Sequence, residues 1–217
     1  MRVLCLHGLG GTGATMWPLV ASLSQAGHTA FAPTLPGHGS DPSDLCGLRW
    51  TDWLDAAADW TADVVVGQSM GAMLAFDLAA SGACSAIVAI NPLAPDPDAI
   101  DGLEWRRSRG HRRIDVEPTG VDEIAYAWLP IDALLAMHEG IATIELAKVT
   151  VPTLIVTSAG DEVVDPASSD AVATALGRKP HRVTLHRGGH VATLDADRSM
   201  LCTAVETFIR TAVRPAG

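Results

Sequence analysis

No stretch of this 217-residue chain approaches the roughly 20 consecutive apolar residues of a membrane-crossing helix, so no membrane span is expected. It also has no Cys-x-x-Cys pair. Its four cysteines, Cys5, Cys46, Cys84 and Cys202, are scattered. That argues against a metal cluster or a disulfide framework, and for reduced thiols in a cytoplasmic protein. Basic residues are scarce: 15 Lys and Arg against 25 Asp and Glu, a formal net charge of −10. Such a balance disfavours nucleic acid or an anionic membrane surface as a partner. No internal repeat, low-complexity tract or long linker is visible. The N-terminal run from Met1 to Gly8 has one basic residue and no small-residue cleavage site behind it, so it reads as a first strand and not as a signal peptide.

What is present is a hydrophobic content of 48%, enough for one sizeable core and too little chain for two α/β domains. Short apolar runs predict strands at Val3–Leu6, Thr29–Ala32, Val64–Val66, Ala86–Ile90, Thr153–Thr157 and Arg182–Leu185. Between them, helical patterns cover Met16–Gln25, Asp52–Thr61, Met70–Ser81, Ala167–Leu176 and Arg198–Val213. In the last of these, Met200, Leu201, Ala204, Val205, Phe208 and Ile209 fall on one stripe. Asp165 is a natural N-cap before Pro166, with Gly177 at the far end of that helix. Strand–helix alternation of this kind implies a six-stranded parallel sheet with helices on both faces. Residues 92–147 break the alternation, with no convincing strand, and are expected to form a small helical insertion in a single domain spanning 1–217.

The chemistry centres on Gly67-Gln68-Ser69-Met70-Gly71. Gly-x-Ser-x-Gly allows a serine on a sharp strand-to-helix turn, where bulky neighbours two positions away would clash. Chance alone would give the motif in roughly one chain of this length in fifteen. Here an apolar strand, Val64-Val65-Val66, precedes it and a helix-forming run follows, so Ser69 is the candidate nucleophile. A serine needs a base, and the base an orienting acid, in the chain order serine, acid, histidine on such a fold. His190, in the glycine-rich loop after the last strand, is favoured over His186, at the strand end, and over His181. Asp161, directly after Gly160 at a strand end, is favoured over the loop charge Glu162 and over Asp165, which has a capping role; a turn aspartate bonding its own backbone is its plain structural alternative.

The oxyanion of an acyl-transfer intermediate needs two backbone donors. Met70 N–H, directly after the serine, is one. Leu9 N–H, in the glycine-rich loop Leu6-His7-Gly8-Leu9-Gly10-Gly11, is the other. That loop matches neither phosphate-binding spacing. His7 is expected to be buried, pinning the loop by hydrogen bonds.

Five segments now carry a resemblance: His7-Gly8-Leu9-Gly10-Gly11, Leu35-Pro36-Gly37-His38-Gly39, Gly67–Gly71, Gly160–Pro166 and Gly189–Asp195. In this order they make the chain similar to the α/β-hydrolases, and more narrowly to the small bacterial carboxylesterase and monoacylglycerol lipase group. The usual aromatic after His-Gly is Leu9 here, and the two leading strands of larger members are absent. The resemblance implies hydrolysis of a small-molecule carboxylic ester of short-to-medium acyl chain, or of a monoacylglycerol, through an acyl-enzyme on Ser69, Asp161 and His190. Neither a metal nor an organic cofactor is implied, and the sequence carries no signal of oligomeric state. A thioesterase, lactone hydrolase, carbon–carbon bond hydrolase or acyltransferase would use the same residues, and a silent ligand receptor would need none of them.

Three further features have plain structural readings. Trp50, Trp53, Leu54, Ala57 and Trp60 form a helical stripe expected in the core. His38 is expected to tie its turn, with the pocket mouth as the alternative. The basic run from Trp105 to Arg113 is expected to be a solvated face paired with local carboxylates, with an anionic ligand as the alternative.

Overall fold

The computed structural model describes residues 1–212; Val213, the expected end of the last helix, lies outside the described residues. In chain order the main elements are β1 (Arg2–Leu6), α1 (Trp17–Gln25), β2 (Thr29–Phe31), α2 (Trp50–Ala58), β3 (Val64–Gln68), α3 (Met70–Ala80), β4 (Ala86–Ile90), α4 (Pro97–Ser108), β5 (Arg113–Asp115), β6 (Trp128–Pro130), α5 (Ile131–Thr143), β7 (Thr153–Ser158), α6 (Ala167–Ala175), β8 (His181–Leu185) and α7 (Arg198–Ala212). Six strands pair in parallel in the order β2-β1-β3-β4-β7-β8, as expected.

Successive side chains of a strand enter opposite layers. Val3, Cys5, Val64, Val66 and Val88 therefore pack with α1 and α7, while Leu4, Leu6, Val65, Ile87 and Ala89 pack with α2, α3 and α5. Each fully buried Val, Leu or Ile among them contributes roughly 1.5–3 kcal/mol. The four inner strands are continuous apolar runs because both faces are covered. The edge strand β8 instead buries only Leu185, and β2 at the other edge has no fully buried residue.

Most elements sit within two residues of the sequence reading, and the differences have local causes. β3 runs on through the motif because Gly67 and Gln68 pair with Ala89 and Ile90. The first helix begins only at Trp17, after a short 3-10 turn at Gly13–Met16. α2 starts at Trp50 and stops at Ala58, so Trp60 leaves the stripe and is 39% exposed against Phe31. Trp50, Trp53 and Ala57 are core, as expected, and the two indoles donate to Asp77 Oδ2 at 2.7 Å and Pro36 O at 3.1 Å. On α7, Leu201, Val205, Phe208 and Ile209 are buried, whereas Met200 is 47% exposed.

The largest correction concerns residues 92–147. The segment holds α4 and α5, but between them β5 and β6 form an antiparallel ribbon with Arg113 opposite Pro130 and Asp115 opposite Trp128. The insertion is not wholly helical. Its basic run is exposed, as expected: Arg107 meets Glu104 and Asp132 at 3.7 and 3.3 Å, and Arg113 meets Asp115 at 3.5 Å. Arg109 and Arg113 also lie over the rings of Trp105 and Trp128. Such exposed pairs add little stability.

Candidate active site

β1 leads to β2 on one side and β3 leads to β4 on the other, so the sheet order reverses between β1 and β3. Loops leaving the carboxyl ends of those two strands diverge and open a crevice, the usual ligand position in an open parallel sheet. A cavity of about 650 Å³ lies there, lined by Gly8–Gly11, Ser69 and His190 among others.

Ser69 sits at φ 56° and ψ −122°, a conformation disfavoured for a residue with a side chain. The surroundings hold it there. Its N–H donates to Ile90 O at 2.9 Å, and its carbonyl accepts from Ala72 N–H at 2.9 Å. The two motif glycines are required by contact: a Cβ on Gly67 would enter the Gly71 backbone, and one on Gly71 would enter the Leu6 carbonyl.

Asp161 and His190 come together as expected. His190 Nδ1–H donates to Asp161 Oδ2 at 2.7 Å, with side chains only 10% and 2% exposed. The other oxygen, Oδ1, accepts from Val163 and Val164 N–H at 2.9 Å each. Asp161 is thus both a turn aspartate and the partner of the imidazole, one oxygen for each. With Nδ1 as donor, Nε2 is left as the acceptor. No hydrogen bond yet joins Nε2 to Ser69 Oγ, a link that commonly closes only around substrate.

The alternatives go elsewhere. Glu162, His181 and His186 are exposed. Asp165 Oδ1 accepts from Ala167 N–H at 2.8 Å, so it caps α6 even though Pro166 already has helical angles. Gly177 serves close packing: a Cβ there would enter the Ala147 carbonyl.

The loop after β1 passes beside the serine. A Cβ on Gly8 would stand 3.6 Å from Ser69 Oγ. Among the described residues, the N–H groups of Leu9 and Met70 have no acceptor. His7 pins this loop as expected: Leu35 N–H donates to its Nε2 at 3.0 Å, so Nδ1 carries the proton and donates to Gly8 O at 2.8 Å. His38 donates to Pro36 O at 2.9 Å and packs against the His7 ring, tying its turn without lining the cavity.

Burial pushes His7 down to about 3, and His28, His38 and His138 down as well. The unfolded chain therefore binds protons that the folded one refuses. Stability from His7 is fully present above 6.5 and is lost as pH falls toward about 3. His7 contributes up to about 1.4 kcal/mol per pH unit in that window, and the other three act in the same direction. Glu123, pushed up by burial, acts in the opposite sense above 4.5. The unfolding temperature is expected to decline steadily from about pH 6.5 to about pH 4; a flat calorimetric profile there would contradict this account.

Sequence reasoning missed several groups. Glu123 lines the cavity, accepts from Thr15 Oγ1 at 2.9 Å and is kept from fuller ionisation mainly by burial. Tyr126 donates to Gly37 O at 2.8 Å, accepts from Ser40 N–H at 3.1 Å, and its own N–H donates to Gly10 O at 2.9 Å. Asn91, directly after β4, is buried at φ 48°; a polar residue behind an apolar strand was its only local signal. Cys5 and Cys84 are pushed up to about 12 by burial, so neither is a ready thiolate. All four cysteines are free. Among the described residues no group of three or more His, Cys, Asp or Glu is placed to hold a metal ion, and no helix is long and apolar enough to cross a membrane.

This chain is similar to the thermostable monoacylglycerol lipase of Bacillus sp. (strain H-257), at 31% identity over 216 residues, 92% of this chain and 86% of the relative. It is also similar to a carboxylesterase of Bacillus subtilis (strain 168), at 23% identity over 95% of this chain and 91% of the relative. Among solved structures, one from the metagenome-derived lipolytic enzymes LipS and LipT matches with a TM-score of 0.86 at 28% identity, covering 96% of this chain and 93% of that one. The alpha/beta hydrolase family profile matches residues 3–199. With its serine turn, glycine-rich loop and six-stranded parallel sheet, this chain belongs to the alpha/beta hydrolase family.

Proposed function

We propose that the protein is a serine carboxylesterase, cleaving esters of short-to-medium acyl chains or monoacylglycerols. The observation that carries this reading is the 2.7 Å His190–Asp161 hydrogen bond at the wall of a cavity that also holds Ser69. His190 Nε2 takes the Ser69 proton as Oγ attacks the ester carbonyl, and the imidazolium is stabilised by Asp161. The oxyanion is held by the N–H groups of Leu9 and Met70. Collapse expels the alcohol, which takes its proton from His190 and leaves the acyl group on Ser69. Water, deprotonated by His190, then attacks the acyl-enzyme; collapse breaks the bond to Ser69 Oγ, which takes the proton back from His190, and the acid is released. The names of the lipase and esterase relatives support the class of substrate. Residues 92–147 form the cap, and the four free thiols fit a cytoplasmic setting.

The cavity walls support the choice of ester. Leu129, Leu134 and Met137 of the cap line an apolar side, while Leu135 turns into the core. Glu123 gives a polar side suited to an alcohol with free hydroxyls. The charged lining residues Asp96, Glu123 and Asp165 are all acidic, which disfavours polyanionic thioester carriers.

A fluorophosphonate that labels Ser69 would separate the enzyme from a silent receptor. Kinetics with esters from acetyl to palmitoyl test the rest. Each buried methylene contributes about 0.8 kcal/mol, so affinity should climb roughly fourfold per carbon until the cavity fills, then level off. A steady rise to palmitoyl, with a jump on emulsified substrate, would overturn the short-to-medium preference.

A further inference from the structure

We infer that Asn91 is a positioning residue for the base and the acid, holding the His190 loop and the end of β7 to one buried carboxamide. The inference rests on the reading of Ser69, His190 and Asp161 as the reacting set. Asn91 is 2% exposed and, among the described residues, one of two non-glycine residues with positive φ, the other being Ser69. Asparagine tolerates this conformation better than most side chains. Here it turns the carboxamide back across the carboxyl edge of the sheet.

Every polar atom of that carboxamide is used. Nδ2 donates to His190 O at 2.8 Å and to Ser158 Oγ at 3.1 Å. Oδ1 accepts from Ser158 N–H at 2.7 Å. Ser158 ends β7, and its carbonyl accepts from Asp161 N–H at 3.3 Å. The backbone beside it completes the set: Asn91 N–H donates to Val156 O at 2.8 Å, and the preceding carbonyl, of Ile90, accepts from Ser69 N–H. Two adjacent residues at the end of β4 therefore touch the serine, the acid loop and the histidine backbone. A simple core asparagine would have no reason to bond the carbonyl of the one histidine that reaches Asp161. Losing the carboxamide frees the His190 backbone to shift, and a displacement near 1 Å in such a set costs on the order of 100-fold in rate.

Two variants test this. Asn91→Gly keeps the turn, because glycine is at ease at positive φ, but removes the carboxamide. Asn91→Asp keeps shape and the acceptor for Ser158 N–H, but has no donor for His190 O when ionised. For both, kcat on a p-nitrophenyl butyrate probe is expected to fall on the order of 10- to 100-fold with KM changed less than about threefold. The discriminating measurement is a double-mutant cycle with His190→Ala. Once the imidazole is gone its placement no longer matters, so Asn91→Gly should cost nothing further in that background. An equal loss in both backgrounds, a rise in KM alone, or full activity of either variant would overturn the inference. Wild-type activity in Ser69→Ala would instead sink the reading of the reacting set itself. Should Asn91→Gly fail to fold, Asn91→Asp carries the same test in the same cycle.

Discussion

Replacing Ser69 by alanine is expected to lower kcat by on the order of 10⁴- to 10⁶-fold while leaving the fold in place. Alanine keeps the Cβ and meets the same backbone strain as serine at φ 56°. The contacts that hold the turn, to Ile90 O and from Ala72 N–H, are made by backbone and survive the change. What disappears is the oxygen proposed to form the covalent bond, so fluorophosphonate labelling should vanish with it. Turnover of an aryl ester, measured beside a thermal unfolding curve, is the check. A Ser69→Ala protein within tenfold of wild type would falsify the mechanism.

Asp161→Asn should cost about 10⁴-fold in kcat, and the structure explains why an isosteric change is so severe. The oxygen Oδ1 already accepts two N–H groups, from Val163 and Val164. An asparagine must keep its carbonyl there, which turns its NH₂ toward His190 Nδ1. Nδ1 then has to accept, the ring proton moves to Nε2, and the imidazole can no longer receive the serine proton. Stability should change little, because the turn bonds persist. Asp165→Ala is the contrast: loss of its bond to Ala167 N–H should destabilise by about 1 kcal/mol with activity largely kept. Exchanged phenotypes would mean the wrong acid was chosen.

The parts legible in the sequence are those with local signatures. Val64-Val65-Val66 before Gly67 announces a covered strand entering a tight turn, and the contacts of Gly67 and Gly71 show why nothing larger fits. Asp161 and His190 could be placed because each follows a predicted strand on the same sheet edge. The ribbon of β5 and β6 was invisible for the opposite reason. Its strands have three residues each, Arg113-Ile114-Asp115 is mostly polar, and the pairing depends on a partner strand that starts 15 residues further on. Glu123 is similar: its partner Thr15 lies 108 positions away, and within its own acidic stretch it looks like any solvated charge. Asn91 carried a faint signal, a polar residue after a buried strand, but its three side-chain bonds go to the end of β7 and to the His190 backbone, 67 and 99 positions away.

Tyr126, which joins the 92–147 segment to both the Gly8–Gly11 loop and the Gly37 turn, is the only tyrosine in the chain. The junction therefore has a built-in spectroscopic address. Biosynthetic incorporation of 3-fluorotyrosine would place a single fluorine nucleus there, so a one-dimensional fluorine spectrum contains one resonance and needs no assignment. Its line shape would report directly whether the 92–147 segment and the sheet's loops part company on the millisecond scale, with or without ester analogues bound, in a protein whose six tryptophans would blur any fluorescence answer to the same question.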